Sequence, residues 1–171
     1  NVARNRAEKR FSSLVENTPD MIYSVINKDG IVEYISPGVK DILGYSQEEL
    51  TGRKFTSAIL SEDHQKATDA FNRLKSEPIE PVVLRLKTKD SLIKWFSNTV
   101  NRLIDNGELV EIQSISVDIT PLLQAEKAKD RAEKKFKSAF EQSNVGMVIA
   151  DKDGKIKSLN DTACRIMGYP R

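Results

Sequence analysis

An α+β fold built on a five-stranded antiparallel sheet is what the sequence predicts, and three observations carry it. Two short β-forming runs, MIYSVI (21–26) and IVEYI (31–35), flank an N-K-D-G turn and read as a hairpin. A series of capping signals then fills residues 36 to 76 with short helices. After Pro78 and Pro81 the apolar period changes to two, and three long runs rich in β-formers follow. The order β-β, short helices, β-β-β favours one antiparallel sheet with helices packed over one face.

Each element has its own local reason. Ala7, Phe11, Leu14 and Val15 fall at helical spacing, an amphipathic lead-in ahead of the first strand, and residues 1–9 are assigned as an N-terminal lead-in helix. Ser36 followed by Pro37 reads as an N-cap and first helical residue, and predicts a helix over 37–43. Ser46 and Glu49 form the capping-box pattern ahead of a helix over 46–51, and a further turn is expected over 55–59. Ser61 is expected to cap a longer helix whose inner face carries Ala67, Ala70, Phe71 and Leu74.

In the second half, PVVLRLKTK (81–89) alternates Val82, Leu84 and Leu86 against Val83, Arg85 and Lys87. LIKWFSNTVNRLI (92–104), the turn DNGE (105–108) and LVEIQSISVDI (109–119) make a second hairpin. The apolar phase of the last strand slips between Ile112 and Ile115; a bulge or burial on both faces explains it equally well. Thr120-Pro121 repeats the cap-then-proline signal and starts a helix with no Gly or Pro from Leu122 to Phe140. Its apolar stripe, Leu122, Ala125, Ala128 or Lys129, Ala132 and Phe136, is thin, and the rest of the surface is charged in both signs. Two readings stay open: a solvated helix held by pairs such as Asp130–Lys134 and Glu133–Lys137, or one strand of a parallel coiled coil.

The chain also repeats itself. NKDGIVEYISPGVKDILGY (27–45) and DKDGKIKSLNDTACRIMGY (151–169) share a K-D-G turn and a G-Y pair at the same spacing, and AEKRFSSLVEN (7–17) matches AEKKFKSAFEQ (132–142). A period of that length means repeated domains, not a solenoid.

Composition excludes several function classes. A net charge of +2 gives no electrostatic case for nucleic acid or an anionic membrane. No apolar run is long enough to span a bilayer, and no signal peptide is legible, so neither membrane insertion nor secretion is expected. One cysteine and one histidine rule out an intrachain disulfide and any His- or Cys-based metal cluster, and suit a cytoplasmic location. An enzyme is disfavoured too, since no nucleophile–base pair, phosphate loop or metal set stands in the sequence.

The ordered motifs FSSLVEN (11–17), NKDGIVEYIS (27–36), LGYSQEELTG (43–52), SEDH (61–64), LKTKD (86–90), KWF (94–96), NGELV (106–110) and DIT (118–120) resemble the PAS domain family, sensor modules of signalling proteins. The resemblance covers residues 8–120, and 135–171 resembles the opening third of a second PAS domain. It implies domains at 10–120 and 135–171, joined by a connecting signalling helix at 121–134. The implied fold is a PAS-like sheet curled round a small cavity, flanked by N-terminal and C-terminal connector helices. The implied function is sensory and regulatory: a small ligand or a state change acting on an effector of the same protein, such as a histidine kinase, with a cyclase as the alternative. No motif of a kinase or cyclase resembles anything within residues 1–171. A ligand-free dimerisation or interaction module is the competing reading, and a homodimer through the flanking helices is expected in both. One departure is Ser91, where the family often has Gly; a slightly different turn is expected there.

By the same resemblance, Met21, Tyr23, Ile35, Leu43, Phe55, Ile59, Phe71, Trp95 and Val117 are candidates to border the cavity, with ordinary core or sheet surface as the alternative for each. Being apolar, they suit a small neutral or aromatic molecule. Asp118, Ile119, Thr120, Pro121 and Leu122 are the candidate signal-transmission residues: Thr120 caps the outgoing helix, Ile119 anchors the last strand and Asp118 ties the junction to a cation or an amide. Neither haem nor a covalent flavin is expected. His64 stands too near the start of its helix to serve as an iron ligand, no C-x-x-C-H occurs, and Cys164 lies outside the N-C-R-F-x-Q motif of flavin-binding relatives.

Overall fold

The structure, a computed structural model, describes residues 20–168. The expected lead-in helix over 1–9 lies outside the described residues. Within the chain two units form, with their boundary after Pro121.

In the first unit, β1 (Met21–Asn27) and β2 (Val32–Ile35) pair antiparallel around the N-K-D-G turn. The Asn27 side chain organises the turn, its Oδ1 accepting the amides of Asp29 and Ile31 at 3.0 Å each. Gly30 sits there at φ +80°, and a Cβ on it would lie 3.2 Å from the Phe55 ring. Both conformation and space therefore demand glycine. The pairing skips Glu33, a one-residue bulge that lets the strand bend.

The chain then crosses to the helical side through α1 (Val39–Leu43), α2 (Gln47–Leu50), two 3-10 turns (Phe55–Ala58 and Ser61–Asp63) and α3 (His64–Leu74). The capping box forms at α2, where the Glu49 amide donates to Ser46 Oγ and the Ser46 amide to Glu49 Oε2. Two other cap expectations are corrected. Ser36 does not cap α1, because its hydroxyl accepts the amide of Tyr23 on β1 at 3.0 Å. Ser61 does not cap α3, because its hydroxyl donates to the neighbouring Glu62 carboxylate.

Three long strands complete the sheet: β3 (Val82–Lys87), β4 (Ile93–Asp105) and β5 (Glu108–Asp118). The order is β2-β1-β5-β4-β3 and every pairing is antiparallel. The core lies between the sheet and the helices, centred on Phe96, Leu43, Ile112 and Val39. Both sheet edges are covered by one stretch of chain. Ile31 bridges to Lys54 beside β2, and Ile59 bridges to Leu86 on β3. Asp63 fastens the same end, its carboxylate accepting the Arg85 amide at 2.8 Å and Arg85 Nε at 3.0 Å.

The β3–β4 turn corrects another expectation. Ser91 adopts φ +71°, the left-handed conformation that glycine takes without cost, so the turn geometry is kept and the serine is strained in it. In β5 the bulge lies at Val110, which the β4 register skips, and not between Ile112 and Ile115. From Glu111 to Val117 the ladder with β1 is continuous. The apolar phase slips there for a different reason: Ser114 and Ser116 occupy inward, buried positions while Ile115 points to the other face.

In the second unit α4 (Thr120–Gln142), whose first two residues belong to the first unit, is followed by the hairpin β6 (Val148–Ala150) and β7 (Ile156–Leu159) and by α5 (Asp161–Met167). The hairpin repeats the turn and register of the first. Asp151 Oδ1 accepts the amides of Asp153 and Lys155, as Asn27 does for Asp29 and Ile31. The register skips Lys157 as it skips Glu33. The Met147 amide donates to Asn160 Oδ1 where Tyr23 donates to Ser36. Asn160, fully buried, also accepts from Ala163 and donates to the carbonyls of Phe140 and Val145. Residues 124–139 of α4 are exposed throughout. The described ion pair along them is Lys129–Glu133 at 3.9 Å, in place of the expected Asp130–Lys134 and Glu133–Lys137.

Candidate ligand cavity and output junction

Curling the sheet over short helices leaves a cavity of about 120 Å³ in the first unit. Its floor is the inward row of β1, β5, β4 and β3, and its roof is Phe55 to Ile59 with α3. Of the sequence candidates, Ile35, Leu43, Phe55, Ile59 and Phe71 line it. Phe55 and Phe71 stack at 5.0 Å between ring centroids and supply an aromatic wall.

Met21, Tyr23, Trp95 and Val117 do not line it, and the strand period explains why. Side chains alternate along a strand, and the inward residues of β1 are Ile22, Ser24 and Ile26, so Met21 and Tyr23 face the opposite side. Val117 pairs with Met21 across that outer face. Trp95 pairs with Arg85 there, with the guanidinium 5.6 Å from the ring centroid, while Phe96 turns fully inward.

Periodicity missed the polar part of the floor. Asn98, Ser116, Ser24 and Ser114 are all buried and all line the cavity. Ser116 donates to Asn98 Oδ1 at 2.7 Å, and the Asn98 amide donates to the carbonyls of Val82 and Phe96. The one available signal was the run of serines at alternate positions, Ser114 and Ser116, within a β-rich segment.

His64 is exposed and its Nε2 faces the Ile59 carbonyl at 2.9 Å, outside the cavity lining. Cys164 is half-buried on α5. Among the described residues no group of three or more His, Cys, Asp or Glu side chains could hold a metal ion.

At the far end of β5 lies the junction. Asp118, its side chain almost fully buried, accepts the Thr120 amide at 2.9 Å and Lys94 Nζ at 3.0 Å. Burial is the largest single influence on its carboxyl and pushes it up, but the bonds from Thr120 and Lys94 together outweigh it and hold it below its ordinary value. Thr120 does not cap the outgoing helix; its hydroxyl accepts the Trp95 amide at 2.8 Å, adding a rung to the β4 ladder. Ile119 donates its amide to the Trp95 carbonyl at 2.8 Å and is half-buried, not part of the core. Pro121 and Leu122 are exposed at the start of α4.

This sheet order, cavity and helix-leading strand define a sensor-type α+β module, and the comparisons give its family. Residues 19–121 match the PAS domain family, and 134–171 match a PAS domain again. The chain belongs to the PAS domain family. Among curated proteins it is 30% identical over 125 residues to the two-component sensor PprA of Pseudomonas aeruginosa, covering 70% of this chain and 13% of that protein. It is 27% identical over 85 residues to the White collar 1 protein of Neurospora crassa, covering 50% of this chain and 7% of that one. The chain thus spans a small part of the length of these relatives.

Among solved structures, a PAS domain from Colwellia psychrerythraea superposes with a TM-score of 0.59 at 19% identity, covering 71% of this chain and 99% of that one. A sensory box histidine kinase/response regulator from Burkholderia thailandensis gives 0.57 at 22%, covering 74% and 97%. At those identities the likeness concerns the fold. No helix among the described residues is long and apolar enough to cross a membrane.

Proposed function

We propose that this chain is the sensory region of a sensor histidine kinase, that its cavity takes a small uncharged molecule, and that occupancy is passed to an effector through α4. One observation carries the reading: β5 is a single strand with Ser114 and Ser116 in the cavity floor and the Asp118–Thr120 junction two residues further on. A ligand that moves the floor moves the first turn of the helix, because no loop lies between them. A bias of a few kcal/mol is enough to switch a two-state element. The similarity to a two-component sensor supports the kinase as effector, and a diguanylate cyclase whose N-terminal domain shares the fold stands as the alternative.

The exposed stretch of α4 favours a dimer as the working unit. A helix with almost no packed face is marginal alone, and Leu122 and Phe136, each about 60% exposed, begin and end its apolar stripe. Pairing of flanking helices between two copies would bury both. PAS copies in series along such rods form the array we infer.

Two assays test this in the full-length protein. Phosphohistidine formed from labelled ATP is expected, and its level is expected to change several-fold in Asp118→Ala with Trp95 emission unchanged. Absence of phosphohistidine overturns the kinase assignment; an output indifferent to Asp118→Ala overturns the transmission route. Sedimentation of the chain is expected to show a dimer that Phe136→Lys weakens, and a monomer at every concentration would remove the dimer from the scheme.

A further inference from the structure

The floor of the cavity carries two hydroxyls that the fold does not use. Ser24 on β1 and Ser114 on β5 stand directly opposite each other in the register, both at least nine-tenths buried and both lining the cavity. Neither side chain makes a hydrogen bond to another described residue, although the neighbouring Ser116 and Asn98 are bonded to one another. Yet neither oxygen is sealed off, since each keeps some accessible surface inside the cavity. A hydroxyl buried without a partner is costly, and alanine at the same position has no such cost. Two facing, unpartnered serines in a mostly apolar lining, beside a Ser116–Asn98 pair already bonded to each other, are therefore a recognition feature.

We infer that the Ser24–Ser114 pair is the polar reader of the cavity, and that its ligand is a neutral ring or short chain bearing one oxygen function, an alcohol, phenol or ketone. This rests on the cavity being a ligand site, as proposed above. A hydroxyl both donates and accepts, so a facing pair binds either kind of oxygen. Charge is selected against. Lys54 is the one ionisable residue of the lining, and its ammonium donates to the Asp29 carbonyl at 3.0 Å on the exposed side. A buried ion would have no counter-charge there. The volume of about 120 Å³ suits a single ring, for comparison with an engineered apolar cavity of about 150 Å³ that takes benzene. The Phe55–Phe71 stack gives that ring an apolar wall while the serines hold its oxygen.

Phenol and toluene are the probes, titrated by calorimetry into the whole chain and into Ser24→Ala, Ser114→Ala and the double variant. The measured quantity is the ratio of phenol to toluene affinity, because comparing that ratio between proteins cancels the hydration of the two ligands. It is expected to fall about tenfold in the double variant, about 1.4 kcal/mol, and by an intermediate factor in each single variant. The ligand-free double variant is expected to melt no lower than the parent. Binding of both probes with a ratio that does not change between proteins overturns the serine reader and leaves the cavity reading standing. No binding of either probe to the parent chain overturns the cavity reading and the inference with it. A marked loss of stability in all three variants would show that the hydroxyls are already paired, and would also refute the proposal.

Discussion

Replacing Asp63 by Asn tests the contact that closes one end of the cavity roof. Asp63 holds the Arg85 backbone amide and guanidinium together, so its carboxyl is drawn down from 3.8 to about 2, chiefly by the hydrogen bond from the Arg85 side chain, with burial opposing. By linkage a shift of that size corresponds to roughly 2.5 kcal/mol. Arg85 is partly open to solvent, and screening reduces the useful part to about 1–2 kcal/mol. Because the folded value is depressed, the contribution is complete above the unfolded value near 4 and is lost as pH falls through about 2. Asp63→Asn is therefore expected to lower stability by about 1–2 kcal/mol at pH 7, with most of the deficit gone by about pH 2. Urea unfolding at several pH values measures this, with the single tryptophan, Trp95, reporting on the first unit from its place against Arg85. Equal midpoints at pH 7, or a deficit of the same size near pH 2, would refute the reasoning.

Other expectations concern backbone and buried polar groups. Ser91→Gly relieves a left-handed φ and is expected to raise stability by up to about 1 kcal/mol in the same urea assay. Gly30→Ala meets both a positive φ and the Phe55 ring, and is expected to lower stability by about 1–3 kcal/mol. Asn160→Ala strips four bonds from the second unit and is expected to cost about 3 kcal/mol or more, read as accelerated amide exchange at Met147 and Ala163. Asn160→Ser, which imitates Ser36, is expected to recover part of the protection at Met147 and none of the bonds to Phe140 and Val145.

Local chemistry made much of this fold legible in the sequence. The N-K-D-G hairpin and the Ser46–Glu49 capping box depend on neighbours a few residues apart, and both formed as read. The caps assigned to Ser36 and Thr120 failed because their hydroxyls are claimed by distant strand amides, those of Tyr23 and Trp95. No local rule sees a donor supplied by another part of the chain. The cavity defeated periodicity in a different manner. In MIYSVI both strand phases contain apolar residues, and the inward one includes Ser24. The cavity candidates taken from the family resemblance included Met21, Tyr23 and Val117, which face the other side of the sheet, and left out Ser114 and Ser116. A floor that mixes hydroxyls with aliphatic groups inverts the signal at the very place where recognition needs it.

The stretch from Gly52 to Asp63 touches one rim of the sheet through Lys54 and the opposite rim through Ile59, while Phe55 and Ala58 hang over the hollow between. One girdle thus performs two duties. It shields two outermost strands that would otherwise recruit foreign chains, and it guards the interior space beneath it. Loosening it for entry bares a sticky border for as long as it stays loose, so permeability and resistance to clumping are tied to the same dozen residues and must have been tuned together.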